Sequence, residues 1–301
     1  MKLPVSIRRP RLPFPLGAPT TPYGVEPLPD EPTLGVHYDT SWARREPARY
    51  ARGAVIEYVM RPLVEVLASP EVDGADRIED VDAPVIFAAN HHSHLDTPLL
   101  LTTLPARFRH RCAVAAAADY FFDSRVKSAM SAFAMCAIPI ERNRISRRSA
   151  DLAAQLLDAG WNLVIFPEGG RSPDGWGQDF QGGAAYLSER CGRPVVPVHL
   201  EGTRRILRKG AKRPTPSTVH VTFGAPMRAD ESENARRFAQ RIERTVAALA
   251  DEQSSDWWMA RKRAWAGVTP ELKGPTGSIG AWRRAWALGD ERRKRRERVW
   301  P

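Results

Sequence analysis

The amino-acid sequence predicts an α/β fold: a mostly parallel central sheet flanked by helices. Three observations predict it. Short apolar runs recur from Pro84 onward, V-I-F-A-A, C-A-V-A-A-A, A-M-C-A-I-P-I, N-L-V-I-F, P-V-V-P-V-H-L and V-H-V-T-F. Helix-like stretches lie between or after them, near residues 95–104, 123–133, 146–159, 182–190 and 232–250. A strand that is apolar on both sides is buried on both faces, as in a parallel sheet between two helical layers. The alternating stretch, residues 81–250, has an ordinary length for one domain.

Four segments follow in order. Nine prolines between Pro4 and Pro32 leave residues 1–36 unable to hold a helix or a ladder, so a disordered arm is expected there. In residues 37–80, Pro47 opens a helix that runs to about Leu67 and kinks at Pro62. Arg49, Gly53, Glu57, Arg61 and Glu65 recur every four residues as a narrow stripe on it. Tyr50, Val55, Ile56, Val59, Met60, Leu63 and Leu67 are left as a wide apolar face. Residues 81–250 are the α/β domain, and residues 251–301 are a basic, Trp-rich extension.

Of 301 residues 43% are hydrophobic and 27% charged, which excludes collagenous, repetitive and wholly disordered chains. The net charge of +10 calls for an acidic partner: nucleic acid, an anionic membrane surface or a phosphorylated substrate. Arginine supplies 38 of the 45 basic residues, so most of that charge can grip phosphate through two parallel hydrogen bonds. Cys112, Cys136 and Cys191 are too few and scattered for a disulfide framework or a zinc knuckle, which points to a reducing compartment. No apolar run reaches spanning length, and the N-terminus lacks the pattern of a secretory signal.

The chemistry concentrates at strand ends. Asn90 to Asp96, N-H-H-S-H-L-D, follows V-I-F-A-A and precedes a helical run. Ligands of open α/β sheets bind at the carboxyl ends of strands. His91 and Asp96 are spaced so that the carboxylate can turn back onto one imidazole nitrogen, fixing the tautomer and leaving the other nitrogen as a base. Ser93 is placed to cap the helix rather than to attack. A metal reading of His91, His92, His94 and Asp96 is also open, since H-x-H-x-D opens the H-x-H-x-D-H run of dinuclear zinc hydrolases. Thr97 stands where that run has its next histidine. A second strand runs into a Gly-rich turn, N-L-V-I-F-P-E-G-G-R-S, where Gly169 and Gly170 admit a ligand to the backbone and Arg171 offers a phosphate fork. I-P-I-E-R-N-R places Arg142 after a third strand. V-V-P-V-H-L-E-G is more apolar and reads equally well as core strand. There is neither a G-x-S-x-G elbow nor a G-x-x-x-x-G-K-[ST] loop.

Four motifs in this order, N-H-x-S-x-x-D, I-x-x-x-R, F-P-E-G-x-R-S and V-x-P-V, resemble those of the glycerolipid acyltransferases, in particular the 1-acylglycerol-3-phosphate O-acyltransferase-like family. The resemblance covers about Val81 to Ala250 and implies a glycerol-3-phosphate acyltransferase-like fold. It implies transfer of a fatty acyl group from acyl-CoA or acyl-carrier protein to the hydroxyl of a lysophospholipid such as 1-acyl-glycerol-3-phosphate, in phospholipid biosynthesis, with no cofactor. By motif match His91 is the general base and Asp96 its partner. Arg142, Glu168, Gly169, Gly170, Arg171 and Ser172 bind the acceptor, and Val195, Val196, Pro197 and Val198 line the acyl pocket. Gly170 stands where the family usually has Thr, and His92 and His94 have no family role.

The last 45 residues, from Trp257, hold six of the nine tryptophans and a net charge of +8. Aromatics suit the headgroup boundary, and each cation near an anionic leaflet contributes about 1 kcal/mol. The expectation is a peripheral protein on the cytoplasmic side of a membrane, meeting anionic phospholipids and no nucleic acid. Two alternatives stand beside it. The tryptophans could pack back on the domain as a clamp, and the chain could be a non-catalytic basic membrane- or nucleic-acid-binding protein that keeps the fold.

Overall fold

The computed structural model describes residues 34–141, 147–172, 174–207 and 213–273. Residues 1–33 of the expected arm, Arg142, and the extension beyond residue 273 lie outside the described residues. Two 3-10 turns lead into α1 (Glu46–Val55), a π-helical turn (Ile56–Met60) and α2 (Arg61–Ala68). The proline-opened helix is thus continuous across Pro62. A proline has no N–H to donate and crowds the carbonyl one turn back, here that of Tyr58, and the helix yields by widening just before it.

The elements that follow are β1 (Pro70–Asp73), β2 (Ile86–Ala89), α3 (Asp96–Thr103), α4 (Ala106–Arg109), β3 (Cys112–Ala117), α5 (Ala118–Phe121), α6 (Arg125–Met135) and β4 (Ala137–Ile140). After them come α7 (Arg147–Asp158), β5 (Asn162–Ile165), α8 (Gly183–Cys191), β6 (Val195–Glu201), α9 (Thr203–Ile206), β7 (Val219–Phe223), α10 (Ala235–Ser254) and α11 (Trp257–Trp265). The strands form one seven-stranded sheet in the order β1-β7-β6-β2-β5-β3-β4. From β6 to β4 every neighbour is parallel. β7 pairs antiparallel with β6, and β1 joins β7 in parallel. The sheet is mostly parallel, with a reversed pair at one edge.

The apolar run of β2 alternates between two cores, which is why it carries no polar side. Phe87 and Ala89 of β2 enter one layer with Leu99, Leu100, Phe108, Val196, Val198 and Phe223, under α2, α3 and α4. Ile86 and Ala88 enter the other with Leu157, Leu163, Val195, Phe238 and Ile242, under α7, α8 and α10. Phe87 meets Phe108 edge-on at 5.5 Å and Phe223 at 6.4 Å between ring centroids. Burying a ring of this size contributes about 1.5–3 kcal/mol. Helix α10 begins where the Asn234 side chain accepts the Arg237 N–H, and it buries Phe238, Ile242, Val246 and Leu249 at helical spacing.

Three details depart from expectation. β1 lies within the segment read as purely helical and pairs with β7. Helix α6 continues to Met135, so only the second half of A-M-C-A-I-P-I is strand. The face of α1 and α2 is divided: Ile56 and Val64 are buried, whereas Tyr50, Val59 and Leu63 are exposed together with Tyr58 and Val66. Glu57, one of the polar stripe, pairs with Arg109 and with Arg61. At the other end, α11 buries only Ala260, and Trp257, Trp258 and Trp265 are 51%, 69% and 92% exposed. Within the described residues these tryptophans do not form a packed clamp.

Gly202 turns the chain from β6 into α9 with φ +92°, and a Cβ there would lie 2.7 Å from the Thr218 carbonyl oxygen. The Gly202→Ala chain is expected to lose about 1–3 kcal/mol of unfolding free energy. Denaturant titration checks this, and an unchanged midpoint would disprove it.

Candidate active site

β2 and β5 are neighbours at the middle of the sheet, so the loops leaving their carboxyl ends emerge side by side. Asn90 anchors the first loop. Its side-chain amide donates to the Leu200 carbonyl at 2.8 Å and its oxygen accepts the Leu200 N–H at 2.7 Å, a two-point pairing with β6 made by a side chain. His91 comes next, and its ring is stacked on Phe166 at 4.2 Å. Nδ1 lies 2.8 Å from Oδ2 of Asp96, the first residue of α3. The same oxygen accepts the N–H groups of His92 at 2.6 Å and Ser93 at 2.8 Å.

Asp96 is fully buried. Burial by itself raises its carboxyl, but the hydrogen bond and charge of His91, the Ser93 N–H and the Thr203 hydroxyl outweigh it and hold Asp96 below the ordinary carboxylate range. The carboxylate therefore stays ionised and orients His91 through Nδ1, leaving Nε2 for proton transfer. Ser93 is spent on structure: its hydroxyl accepts the Leu95 N–H and donates to the Leu207 carbonyl.

The second loop laces the first. Glu168 accepts the His91 N–H at 2.9 Å and the Gln178 N–H at 3.1 Å, one on each carboxylate oxygen. The Ser172 N–H donates to the His91 carbonyl at 2.9 Å. Both backbone polar groups of His91 are thus held by the F-P-E-G-G-R-S segment, a physical reason for the two motifs to occur together. Gly169 turns this loop at φ +70°. Burial pushes the Glu168 carboxyl up to about 7, against the pull of the two N–H donors.

Arg171 lies over the Tyr120 ring at 5.8 Å, and His94 stacks on the same ring at 5.2 Å with Nε2 3.0 Å from the Tyr120 hydroxyl. Burial, then the charge of Arg171, bring His94 down to about 4, so it is neutral at pH 7. Burial also lowers His92.

Against known proteins, residues 69–201 match the model of a family described as Acyltransferase. That stretch is what this chain shares with the family. The chain is 30% identical over 146 residues to the chloroplastic 1-acyl-sn-glycerol-3-phosphate acyltransferase BAT2 of Brassica napus, covering 47% of this chain and 40% of that protein. To LPAT1 of Arabidopsis thaliana it is 31% identical over 145 residues, covering 47% and 38%. The chain therefore spans about two fifths of the length of these curated relatives. The crystal structure of the 1-acyl-sn-glycerophosphate acyltransferase PlsC of Thermotoga maritima shares the fold with TM-score 0.56 and 22% identity, over 73% of this chain and 88% of that one.

Within the matched stretch, His91, Glu168, Gly169, Gly170, Arg171 and Ser172 lie on the two laced loops, and Asp96 opens α3 beside them. Arg142 lies outside the described residues. The carboxylate of Glu168 is turned to main-chain N–H groups rather than toward an anion, and the buried Ser172 hydroxyl accepts the Gly175 N–H. Val195, Val196, Pro197 and Val198 are buried in β6, with Val195 in one core and Val196 and Val198 in the other. For the metal reading, His94 is turned to Tyr120 and Asp96 Oδ2 to His91. No group of three His, Cys, Asp or Glu side chains among the described residues is placed to hold an ion.

Sequence reasoning missed Tyr120, Thr203 and Arg204. Nothing in their local pattern marks them, because sheet order alone brings them beside the loops.

Proposed function

We propose that the chain moves a fatty acyl group from a thioester, acyl-CoA or acyl-carrier protein, to the hydroxyl of a lysophospholipid of the 1-acyl-sn-glycerol-3-phosphate type. The observation that carries this reading is the His91–Asp96 pair, 2.8 Å apart at the end of β2 and flanked by the loop of Arg171. The names of the relatives support it.

His91 Nε2 takes the proton of the acceptor hydroxyl as its oxygen attacks the thioester carbonyl. Asp96 stabilises the imidazolium that forms. When the tetrahedral intermediate collapses, the carbon–sulfur bond breaks and the imidazolium returns its proton to the departing thiolate, so no acyl-enzyme and no cofactor are required. Arg171 draws the acceptor phosphate to the mouth of the site.

The reading includes peripheral docking on the cytoplasmic face of a membrane. Tyr58, Val59, Leu63 and Val66 stand exposed on the N-terminal helix, and Trp257, Trp258 and Trp265 stand exposed beside Arg261 and Lys262. No helix among the described residues is long and apolar enough to cross a membrane.

The test supplies the full chain with palmitoyl-CoA and lysophosphatidate and follows free thiol. Thiol release matched by phosphatidate formation is the expected result. Absence of turnover across a panel of lysolipids, with CoA and carrier-protein donors, would overturn the reading.

A further inference from the structure

Arg204 follows β6 on α9, one residue after Thr203, whose hydroxyl acts on the Asp96 carboxylate. Its Nη1 is enclosed and has no hydrogen-bond partner among the described residues. A Cβ placed on Gly175 would lie 3.2 Å from each of Cδ, Nε and Nη1 of Arg204, so the guanidinium rests against the backbone of the loop that starts at Arg171. Its charge also acts on the His92 imidazole, as the smallest contribution after burial, Asp96, Glu201 and His91. Neighbouring Glu201 pairs with Arg205 at 3.5 Å, and no acidic side chain among the described residues pairs with Arg204.

An enclosed guanidinium nitrogen without an acceptor is costly, and no contact among the described residues requires a cation there. Apolar contact with Gly175 would be served as well by a neutral side chain. A dianionic phosphate supplies what is missing: charge, and oxygens spaced to take the fork. Arg171 and Arg204 reach the two laced loops from different elements, one from the segment after β5 and the other from the segment after β6.

We propose that Arg204 is a phosphate-binding residue of this site, its half-buried guanidinium taking a phosphate ester of one of the two substrates. The proposal rests on the acyl-transfer reading above. The acceptor and both donors carry phosphate esters, so the chemistry is shared and kinetics must separate the sources.

The experiment compares the full chain with Arg204→Gln, Arg204→Lys and, as a surface control, Arg205→Gln. Steady-state constants are measured for lysophosphatidate and palmitoyl-CoA, and thermal stabilisation by sn-glycerol 3-phosphate is measured alongside. Arg204→Gln is expected to raise one KM roughly tenfold with kcat changed less than about threefold, the signature of lost ground-state binding. A raised lysophosphatidate KM assigns the acceptor phosphate, and a raised palmitoyl-CoA KM assigns the donor's. Arg204→Lys is expected to recover part of the loss, because it keeps the charge without the fork. Unchanged KM values in Arg204→Gln, or an equal change in Arg205→Gln, would overturn the proposal. Should the parent chain transfer no acyl group, the sn-glycerol 3-phosphate titration still decides. Stabilisation of the parent but not of Arg204→Gln supports the site, and equal or absent stabilisation in both sinks it.

Discussion

Replacing His91 by alanine is expected to lower the rate of acyl transfer by about 10²–10⁴-fold while leaving the domain folded. In the proposed reaction the ring takes the acceptor proton on Nε2, since Nδ1 is engaged by Asp96 at 2.8 Å. Its loss removes a stack on Phe166 and one hydrogen bond, whereas its main-chain bonds to Glu168 and Ser172 do not depend on the side chain. Asp96→Asn makes the sharper comparison. An amide can keep its oxygen toward the N–H groups of His92 and Ser93, but it carries no charge to stabilise an imidazolium, so a loss approaching that of His91→Ala is expected. Rate measurements with circular dichroism check both variants. Full activity in His91→Ala would refute its role as base, and full activity in Asp96→Asn would refute the electrostatic role of the carboxylate.

Asn90→Leu carries the largest expected effect on stability. Asn90 is 1% exposed, and its amide satisfies both main-chain polar groups of Leu200 in the middle of the sheet. Leucine is of similar size and leaves that N–H and carbonyl buried without partners, at about 1–3 kcal/mol each. A loss of roughly 2–6 kcal/mol is therefore expected on denaturant unfolding. A midpoint within error of the parent chain would show that water or a backbone shift replaces the amide. The first residue of the N-H-x-S-x-x-D motif then acts as a strand partner, and the chemistry begins one residue later.

Much of this architecture is legible along the chain because apolar runs without a polar side have one stable location, between two helical layers. β2, β3 and β5 each fall within such a run and β6 begins in one, whereas β7 alternates with His220 and Thr222 and turns Val219, Val221 and Phe223 to one core. β1 has no such signal: Pro-Glu-Val-Asp is polar and lies at the sheet edge, where its side chains meet water. The A-M-C stretch misleads because alanine and methionine suit a helix as well as a buried strand. The chain reverses at Cys136 with φ 50°, a conformation usually marked by glycine. Helix α11 does carry a start signal, since the Asp256 carboxylate accepts the Met259 N–H, but the aromatic and basic residues that follow draw the reading toward a surface tail.

The site divides the same way. His91 and Asp96 are near in sequence and turn toward each other within one loop, so spacing reveals them. Thr203 and Arg204 reach the same place only because β6 lies next to β2, a fact of sheet order. The residues assigned to acceptor binding separate by chemistry. Arg171 is a cation lying over the Tyr120 ring, whereas Glu168 and Ser172 hold the backbone of His91.

The Glu168 carboxylate has one oxygen on each of two chain segments and holds a proton up to about pH 7. In the unfolded chain the same carboxyl titrates near 4.5, so this group favours folding most fully below that value and loses the contribution as pH rises through 7. The two demands run in opposite directions. Alkalinity sharpens the grip on the catalytic loop by making the carboxylate a better acceptor, while it weakens the fold that supplies the grip. An acid limb in the rate profile near neutrality then belongs to the carboxyl that holds the backbone of His91 in place.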